Sequence, residues 1–167
     1  MLIFDATPLI YLSKTGCIEY IVDLDEKKVI PSSVYHEVVV IGKEKGFTDS
    51  LKVQKAVEDG IFHIQEVEDD FVHKTMGFGL NITKADMDVL ELAHKENSTA
   101  IIDDSYARDI ADILGIETRG TLYLIIEFLK KSIVSKEKCL QIVNDMIEAG
   151  WYCSTDLYTQ IIRRLED

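Results

Sequence analysis

The sequence predicts an α/β fold in which helices cover both faces of a central parallel sheet. Short apolar segments of strand length alternate with amphipathic segments of helix length along the chain. The 167 residues are 47% hydrophobic and 29% charged, a composition typical of a globular domain that buries its own core. Only two prolines occur, and no Gly/Ser-rich stretch could serve as a linker, so we expect one domain over residues 1–167.

The N-terminal half predicts three strands and four helices. Thr7 is the expected N-cap of the first helix. Pro8 would then occupy the first helical position, where no backbone N–H is needed for a hydrogen bond within the helix. Gly60 is expected to end the third helix. The predicted strands are Leu2–Phe4, Val29–Ile30 and Phe62–Ile64, and the predicted helices run from Thr7 to about Tyr20–Val22, from Pro31 to Ile41, from Asp49 to Glu58 and over residues 69–76.

Strands and helices alternate again in the C-terminal half, after a predicted loop from Gly77 to Asn81. Thr83 is the expected cap of a helix that places Val89, Leu90 and Ala93 toward the core. The predicted strands are Ala100–Ile102 and Glu117–Arg119, and the other predicted helices cover about 103–114, 121–129, 136–148 and 155–165.

The charge balance limits the functions that the chain can perform. Eighteen basic and 30 acidic residues give a net charge of −12, so long-range electrostatics do not attract nucleic acid or an anionic membrane. The N-terminus lacks the basic start of a signal peptide, and no apolar run approaches the ~20 residues that cross a bilayer. With three cysteines and no CxxC pair, we expect a cytoplasmic protein with reduced thiols.

Acidic residues follow two of the predicted core strands. Asp5 comes directly after Leu-Ile-Phe, and Asp103 and Asp104 come directly after Ala-Ile-Ile. The carboxyl ends of parallel strands meet at one edge of a sheet, so these carboxylates should lie close together. The alternative role for Asp103 and Asp104 is to cap the helix that follows them. Asp5 lacks this alternative, because Thr7 is the predicted cap of the first helix.

Two further acids are placed by helical periodicity. Asp86 shares a face with Val89 and Leu90 and should point toward packed structure, whereas Asp88 should point toward water or the edge. The alternative for Asp86 is a capping box with Thr83.

Glu37 lies on the same side of its predicted helix as Val34 and Ile41. In such an apolar setting an unpaired carboxylate is costly, so we expect a cation or a buried Arg or Lys to compensate it.

A ring of carboxylates is mutually repulsive unless a divalent cation occupies it. Mg²⁺ and Mn²⁺ prefer such hard oxygen ligands, and the four histidines show no spacing typical of a zinc site. In a two-metal phosphodiesterase one cation activates water and the other stabilises the leaving oxygen. The pattern therefore favours metal-dependent phosphodiester hydrolysis over a receiver-type phosphoaspartate, which would need an acid two residues after Asp5.

Five segments in order resemble the successive motifs of PIN-domain proteins, in the branch related to VapC-type toxins: DATPLI, PSSVYHEVV, KADMDVLELA, IIDDSYAR and RGTLYLI. The resemblance covers about residues 2–130 and leaves a C-terminal helical extension at about 131–167. It implies a PIN-like three-layer α/β/α fold, a carboxylate pocket for Mg²⁺ or Mn²⁺, and cleavage of single-stranded RNA.

The resemblance also assigns roles to residues of this chain. It implies that Asp5, Glu37, Asp86 and Asp104 are catalytic and that Thr7 supports Asp5. The metal ligands would be Asp5, Asp86, Asp104 and, because the acid is doubled here, Asp103; Asp88 is likewise a second acid beside the third motif.

Basic residues near these acids are candidates for substrate binding. Arg108 follows Asp104 by one helical turn, and Lys84 and Lys14 are further candidates. The alternative for Arg108 is a salt bridge to Asp104 or Asp112.

Single-stranded RNA is the expected substrate, and an antitoxin protein and a homodimer are further partner hypotheses. The competing function is a PIN-fold binding or regulatory module with weak or no catalysis, which the net charge of −12 favours.

Overall fold

The structure, a computed structural model, describes residues 1–68, 71–76 and 82–166. Within these ranges five strands form one sheet in the order β3-β2-β1-β4-β5, and every neighbouring pair is parallel. The strands are β1 (Leu2–Phe4), β2 (Lys28–Pro31), β3 (His63–Gln65), β4 (Thr99–Ile101) and β5 (Thr118–Arg119). Helices flank this sheet, which confirms the predicted α/β fold class.

The helices within the same ranges connect the strands and extend the chain beyond the last strand. They are α1 (Ala6–Lys14), α2 (Ser32–Tyr35), α3 (Gly42–Glu44), α4 (Asp49–Glu58), α5 (Phe71–Met76), α6 (Lys84–Lys95), α7 (Ser105–Ile113), α8 (Thr121–Lys130), α9 (Lys136–Glu148) and α10 (Thr155–Glu166). A 3₁₀ helix covers Ile18–Asp23, and a π-helical segment covers His36–Ile41 between α2 and α3. The predicted loop from Gly77 to Asn81 lies outside the described residues.

The predicted first helix is wrong at both ends. Asp5, not Thr7, occupies the N-cap position, and α1 ends at Lys14 instead of continuing to Tyr20–Val22. Gly16 follows with a φ of +71°, a conformation that only glycine adopts without strain, so the chain turns before the 3₁₀ helix.

The predicted third and fourth strands are displaced by one residue. Phe62, expected in a strand, precedes β3 and packs edge-to-face on Phe4 of β1, with 5.1 Å between the ring centroids. Ile102, also expected in a strand, lies directly after β4 and is fully buried. Burial of the apolar side chain therefore extends one residue beyond the strand at each of these two positions.

The central strand β1 is buried on both faces, which explains its uninterrupted apolar sequence. Ile3 and Phe4 have no exposed surface, and the backbone of β1 pairs with β2 on one side and β4 on the other. The backbone N–H of Asp5 continues this pattern by donating to the carbonyl of Ile101 at 3.1 Å. The carboxyl ends of β1, β2 and β4 therefore lie side by side at one edge of the sheet.

The C-terminal helices pack onto the α/β core instead of extending from it. Helix α9 contacts α8 and α1, and α10 packs on α9. Trp151, between α9 and α10, is only 8% exposed. Within the described ranges, no helix is both long and apolar enough to cross a membrane.

Candidate carboxylate site

Asp5 is the most deeply buried of the candidate acids, with 3% of its surface exposed. Burial raises the pKa of its carboxyl from 3.8 to about 7, and the nearby carboxylates of Asp86 and Glu37 add to this rise. The backbone N–H groups of Ala6 and Thr7 offset only part of the effect. Ionisation of the buried Asp5 carboxyl is therefore unfavourable unless a cation compensates it.

Glu37 projects from the π-helical segment and is exposed. Partial desolvation raises its pKa above the ordinary value, Asp86 adds to the rise, and Lys45 opposes it. Glu37 and Ile41 line one small cavity, but Glu37 is exposed whereas Val34 is fully buried. The predicted apolar setting is therefore found only in part, since the π-helical segment departs from the α-helical spacing assumed for the prediction. Such turns occur frequently at functional sites.

Asp86 forms the capping box that was the alternative prediction for it. Its Oδ2 accepts hydrogen bonds from the backbone N–H of Thr83 at 2.9 Å and from the Thr83 hydroxyl at 2.6 Å. The same carboxylate raises the pKa of Asp5 and of Glu37, so it lies near both of them. Asp86 can therefore cap α6 and belong to the carboxylate cluster at the same time.

The predicted direction of Asp88 is wrong, because its side chain is buried, whereas Asp86 lies near Asp5 and Glu37. Asp88 is 8% exposed, whereas Asp86 is only half-buried. The prediction assumed one solvent face, but α6 packs against both strands and helices and is buried on nearly all sides beyond its first turn. Asp88 is compensated by Lys84, whose Nζ lies 2.7 Å from its Oδ2.

Asp103 and Asp104 follow β4 but have different partners. The Asp103 carboxylate accepts hydrogen bonds from the Thr121 backbone N–H at 2.7 Å, the Thr121 hydroxyl at 2.6 Å and the Trp151 indole N–H at 3.1 Å. Asp104 is exposed and caps α7 by accepting from the Ala107 backbone N–H at 2.8 Å. Asp103 thus joins three parts of the chain, whereas Asp104 keeps one oxygen toward solvent.

Gly120 has no side chain because Asp103 fills the space where one would lie. An ideal Cβ on Gly120 would stand 2.7 Å from Oδ1 of Asp103. We expect Gly120→Ala to destabilise the protein by about 1–3 kcal/mol in urea unfolding, since the carboxylate would have to leave its hydrogen bonds. In an Asp103→Ala background the same change should cost much less, and equal costs in both backgrounds would contradict this contact.

The three basic residues predicted to bind substrate differ in whether they already contact another side chain. Lys84 pairs with Asp88, and Lys14 lies 5.5 Å from the ring centroid of Tyr11. Arg108 makes no ion pair to Asp104 or Asp112, and its buried Nε lacks a hydrogen-bond partner among the residues that the structure describes. The alternative of a local salt bridge is therefore wrong for Arg108.

The oxygen ligands of the cluster suit a hard divalent cation, but the side chains do not converge on a common point. Asp5, Glu37 and Asp86 affect one another electrostatically and offer only oxygen ligands. In the part of the chain that the structure describes, no three His, Cys, Asp or Glu side chains converge closely enough to hold a metal. Binding would therefore require rotation of carboxylates at this edge.

Two cavities open at the same edge of the sheet. The larger one, of about 720 Å³, is lined by Thr7, Asp103, Asp104 and parts of α8 and the C-terminal segment. The smaller one, of about 600 Å³, is lined by Glu37, Thr83 and the start of α6.

The family comparison agrees with the observed fold. A family model described as DUF3368, PIN domain, matches residues 1–167. The chain belongs to the PIN-domain family. PIN domains are generally nucleases and typically use divalent metal ions. A search of curated proteins finds no match to the chain.

The structure adds residues to this PIN domain's sheet edge that the sequence analysis did not select. Trp151, Tyr152 and Arg164 come from the C-terminal extension and line the larger cavity together with Arg119. A signal was present in the sequence, because the tail contains three aromatic residues and the arginine pair Arg163-Arg164. Their placement depends on how α9 and α10 pack, which no local pattern predicts.

Proposed function

We propose that this PIN-domain protein is a Mg²⁺- or Mn²⁺-dependent endoribonuclease that cleaves single-stranded RNA. The observation that carries the proposal is the buried carboxyl of Asp5 directly after β1, whose pKa is raised by burial and by the nearby carboxylates of Asp86 and Glu37. Within the described ranges no Lys or Arg forms an ion pair with it. A cluster of acids without a protein cation is unfavourable unless an external cation compensates it.

Asp5 and Asp86 are the proposed principal metal ligands, with Asp104 contributing from the end of β4. Asp103 fits this role least, because both of its oxygens already accept hydrogen bonds from the protein. A bound divalent cation would supply an activated water and stabilise the leaving oxygen.

Glu37 is the proposed proton acceptor of this site. Its carboxylate is exposed to water and has a raised pKa, so it is a stronger base than an ordinary glutamate. Thr7, in the first turn of α1, stands beside Asp5 and can orient it through its backbone N–H.

The second candidate function is a PIN-fold binding module without catalysis. The specific observation in its favour is that Asp86, Asp103 and Asp104 each already accept hydrogen bonds within the protein. In that case the acids stabilise helix termini and the extension, and metal ions should not alter the protein's behaviour.

The test compares two neighbouring acids on α6. Asp86→Asn should lower Mn²⁺-dependent cleavage of a labelled single-stranded RNA by about 100-fold or more, because Asp86 lies near Asp5 and Glu37. Asp88→Asn is the matched control and should retain most activity, since Asp88 pairs with Lys84. Equal losses would contradict the assignment, and absence of metal-dependent cleavage by the unaltered chain would favour the binding module.

The resemblance to VapC-type proteins extends the proposal to a cellular role. We propose that the protein is the toxin of a toxin–antitoxin pair. A small DNA-binding protein encoded beside it would support this role, and co-purification of the two proteins would test it.

A further inference from the structure

The larger cavity is a cleft whose walls come from distant parts of the chain. Helix α1 supplies Thr7 and Tyr11, the start of α7 supplies Arg108, and α8 forms the floor. The segment after α9, including Trp151 and Tyr152, and helix α10 close the other side. We call this space the C-terminal cleft. Its volume of about 720 Å³ falls in the ~300–1,000 Å³ range of pockets that hold small organic ligands.

The C-terminal cleft is basic although the protein is strongly acidic. Four cationic side chains line it against two carboxylates, in a chain of net charge −12. One of those carboxylates, Asp103, is already held by three hydrogen-bond donors of the protein. The four cations are Arg108, Arg119, Lys130 and Arg164. The smaller cavity is different, since Glu37 and Glu66 face the single lysine Lys84 there.

Within the described ranges Arg108 and Arg164 form no ion pair, whereas the other two cations are only loosely held. The Nε of Arg108 is buried without a partner within the described ranges, and Arg164 is exposed on α10. Arg119 and Lys130 pair with Glu117 and Glu127 at 2.6 Å, but these pairs lie at the surface, where ion pairs are weak. A phosphate can therefore replace their carboxylate partners at little cost.

Aromatic side chains line the same cleft as the cations. Tyr152 is 85% exposed, so its ring is accessible to a ligand. Tyr123 lies under the guanidinium of Arg119, 5.6 Å from its ring centroid, and Trp151 is anchored on Asp103. A groove that combines cations with aromatic rings is typical of proteins that hold single-stranded nucleic acid, with phosphates on the cations and bases stacked on accessible rings.

We infer that the C-terminal cleft binds single-stranded RNA next to the carboxylate site and that the C-terminal extension supplies part of this binding surface. The inference rests on the proposed ribonuclease function. The cleft begins at Asp103 and Asp104, so RNA lying in it would pass the edge of the sheet where the carboxylates stand. The cleft has room for about one or two nucleotides and not for a duplex, which selects single strands.

Binding is tested separately from cleavage, by anisotropy of a fluorescein-labelled single-stranded 12-nucleotide RNA with the full chain in EDTA. Arg164→Ala should weaken binding about tenfold and lower the salt slope by about one phosphate contact. Arg163→Ala is the matched control, because Arg163 is the exposed neighbour on α10 that does not line the cleft. Tyr152→Ala should weaken binding about tenfold with the slope unchanged, and Tyr152→Phe should restore it.

The outcomes distinguish this inference from the proposed function. Equal affinities for Arg164→Ala and Arg163→Ala, or no RNA binding by the unaltered chain at low salt, would overturn the cleft assignment even if the protein cleaves RNA. Loss of binding confined to the cleft variants would support it even if no cleavage is found. The same variants are also tested for binding of a poly-glutamate peptide. If peptide binding depends on Arg164 and Tyr152 but RNA binding does not, the inference is overturned in favour of an acidic protein partner. Melting temperatures of all variants, measured in parallel, should match that of the unaltered chain.

Discussion

Replacing Asp5 by Asn should stabilise the metal-free protein and abolish its cleavage of RNA. The Asp5 carboxyl is 3% exposed, and its pKa is raised from 3.8 to about 7, so ionising it in the folded state is unfavourable. Asn has the same shape without the charge. At pH 8 the free energy of unfolding should therefore rise by about 2–4 kcal/mol, which corresponds to roughly 5–10 °C in melting temperature.

The sign of the pH dependence follows from the raised pKa. Below about pH 4 the carboxyl is protonated in both the folded and the unfolded chain, so it does not affect stability. Between about pH 4 and pH 7 the unfolded chain ionises first, so the stability of the unaltered protein falls as pH rises, and above pH 7 the difference is constant. The advantage of Asp5→Asn should accordingly be about 2–3 kcal/mol larger at pH 8 than at pH 5.

Urea unfolding in EDTA at these two pH values measures the effect. Asp112→Asn is the control, because Asp112 is an exposed acid on α7, and it should change stability by less than about 0.5 kcal/mol. A variant Asp5→Asn that is less stable than the unaltered chain at pH 8 would show that the carboxylate is well compensated in the folded state.

Replacing Asp103 by Ala should destabilise the protein by about 3 kcal/mol, because buried donors lose their acceptor. Thr121 has no exposed surface, and Trp151 is 8% exposed, so neither donor can turn to water without local opening. The melting temperature should fall by roughly 6–12 °C. The C-terminal segment should also become more accessible, which limited proteolysis around residues 150–155 would detect.

Asp104→Ala separates this effect from the general loss of an acid at the end of β4. Asp104 is exposed and accepts one hydrogen bond, from Ala107, so its removal should cost only about 1 kcal/mol, as is usual for an N-cap. Similar destabilisation by Asp103→Ala and Asp104→Ala would contradict the account of Asp103 as the link between β4, α8 and Trp151.

The sequence predicted the sheet and its acidic edge well, because both depend on local signals. Apolar runs such as Leu2–Phe4 mark strands that are buried on both faces, and a parallel sheet brings their carboxyl ends together. The capping box of Thr83 and Asp86 was likewise visible as a spacing. The break at Gly16 had a signal, since lysine in the last turn followed by glycine is a typical helix end.

The errors arose where tertiary packing overrides helical periodicity. Glu37 was placed by α-helical spacing, but its segment is π-helical. Asp88 was assigned to a solvent face that α6 does not have. The C-terminal cleft could not be predicted at all, because Arg108 and Arg164 lie 56 positions apart in the sequence and meet only through the packing of α9 and α10.

The central claim is that the carboxylates around Asp5 form a site for a divalent cation. Calorimetric titration with Mn²⁺ tests this directly, on the unaltered chain, on Asp5→Asn and on the control Asp112→Asn. The account predicts saturable binding by the unaltered chain and the control, and binding at least about tenfold weaker by Asp5→Asn. Equal binding by all three proteins, or no binding by the unaltered chain, would contradict it.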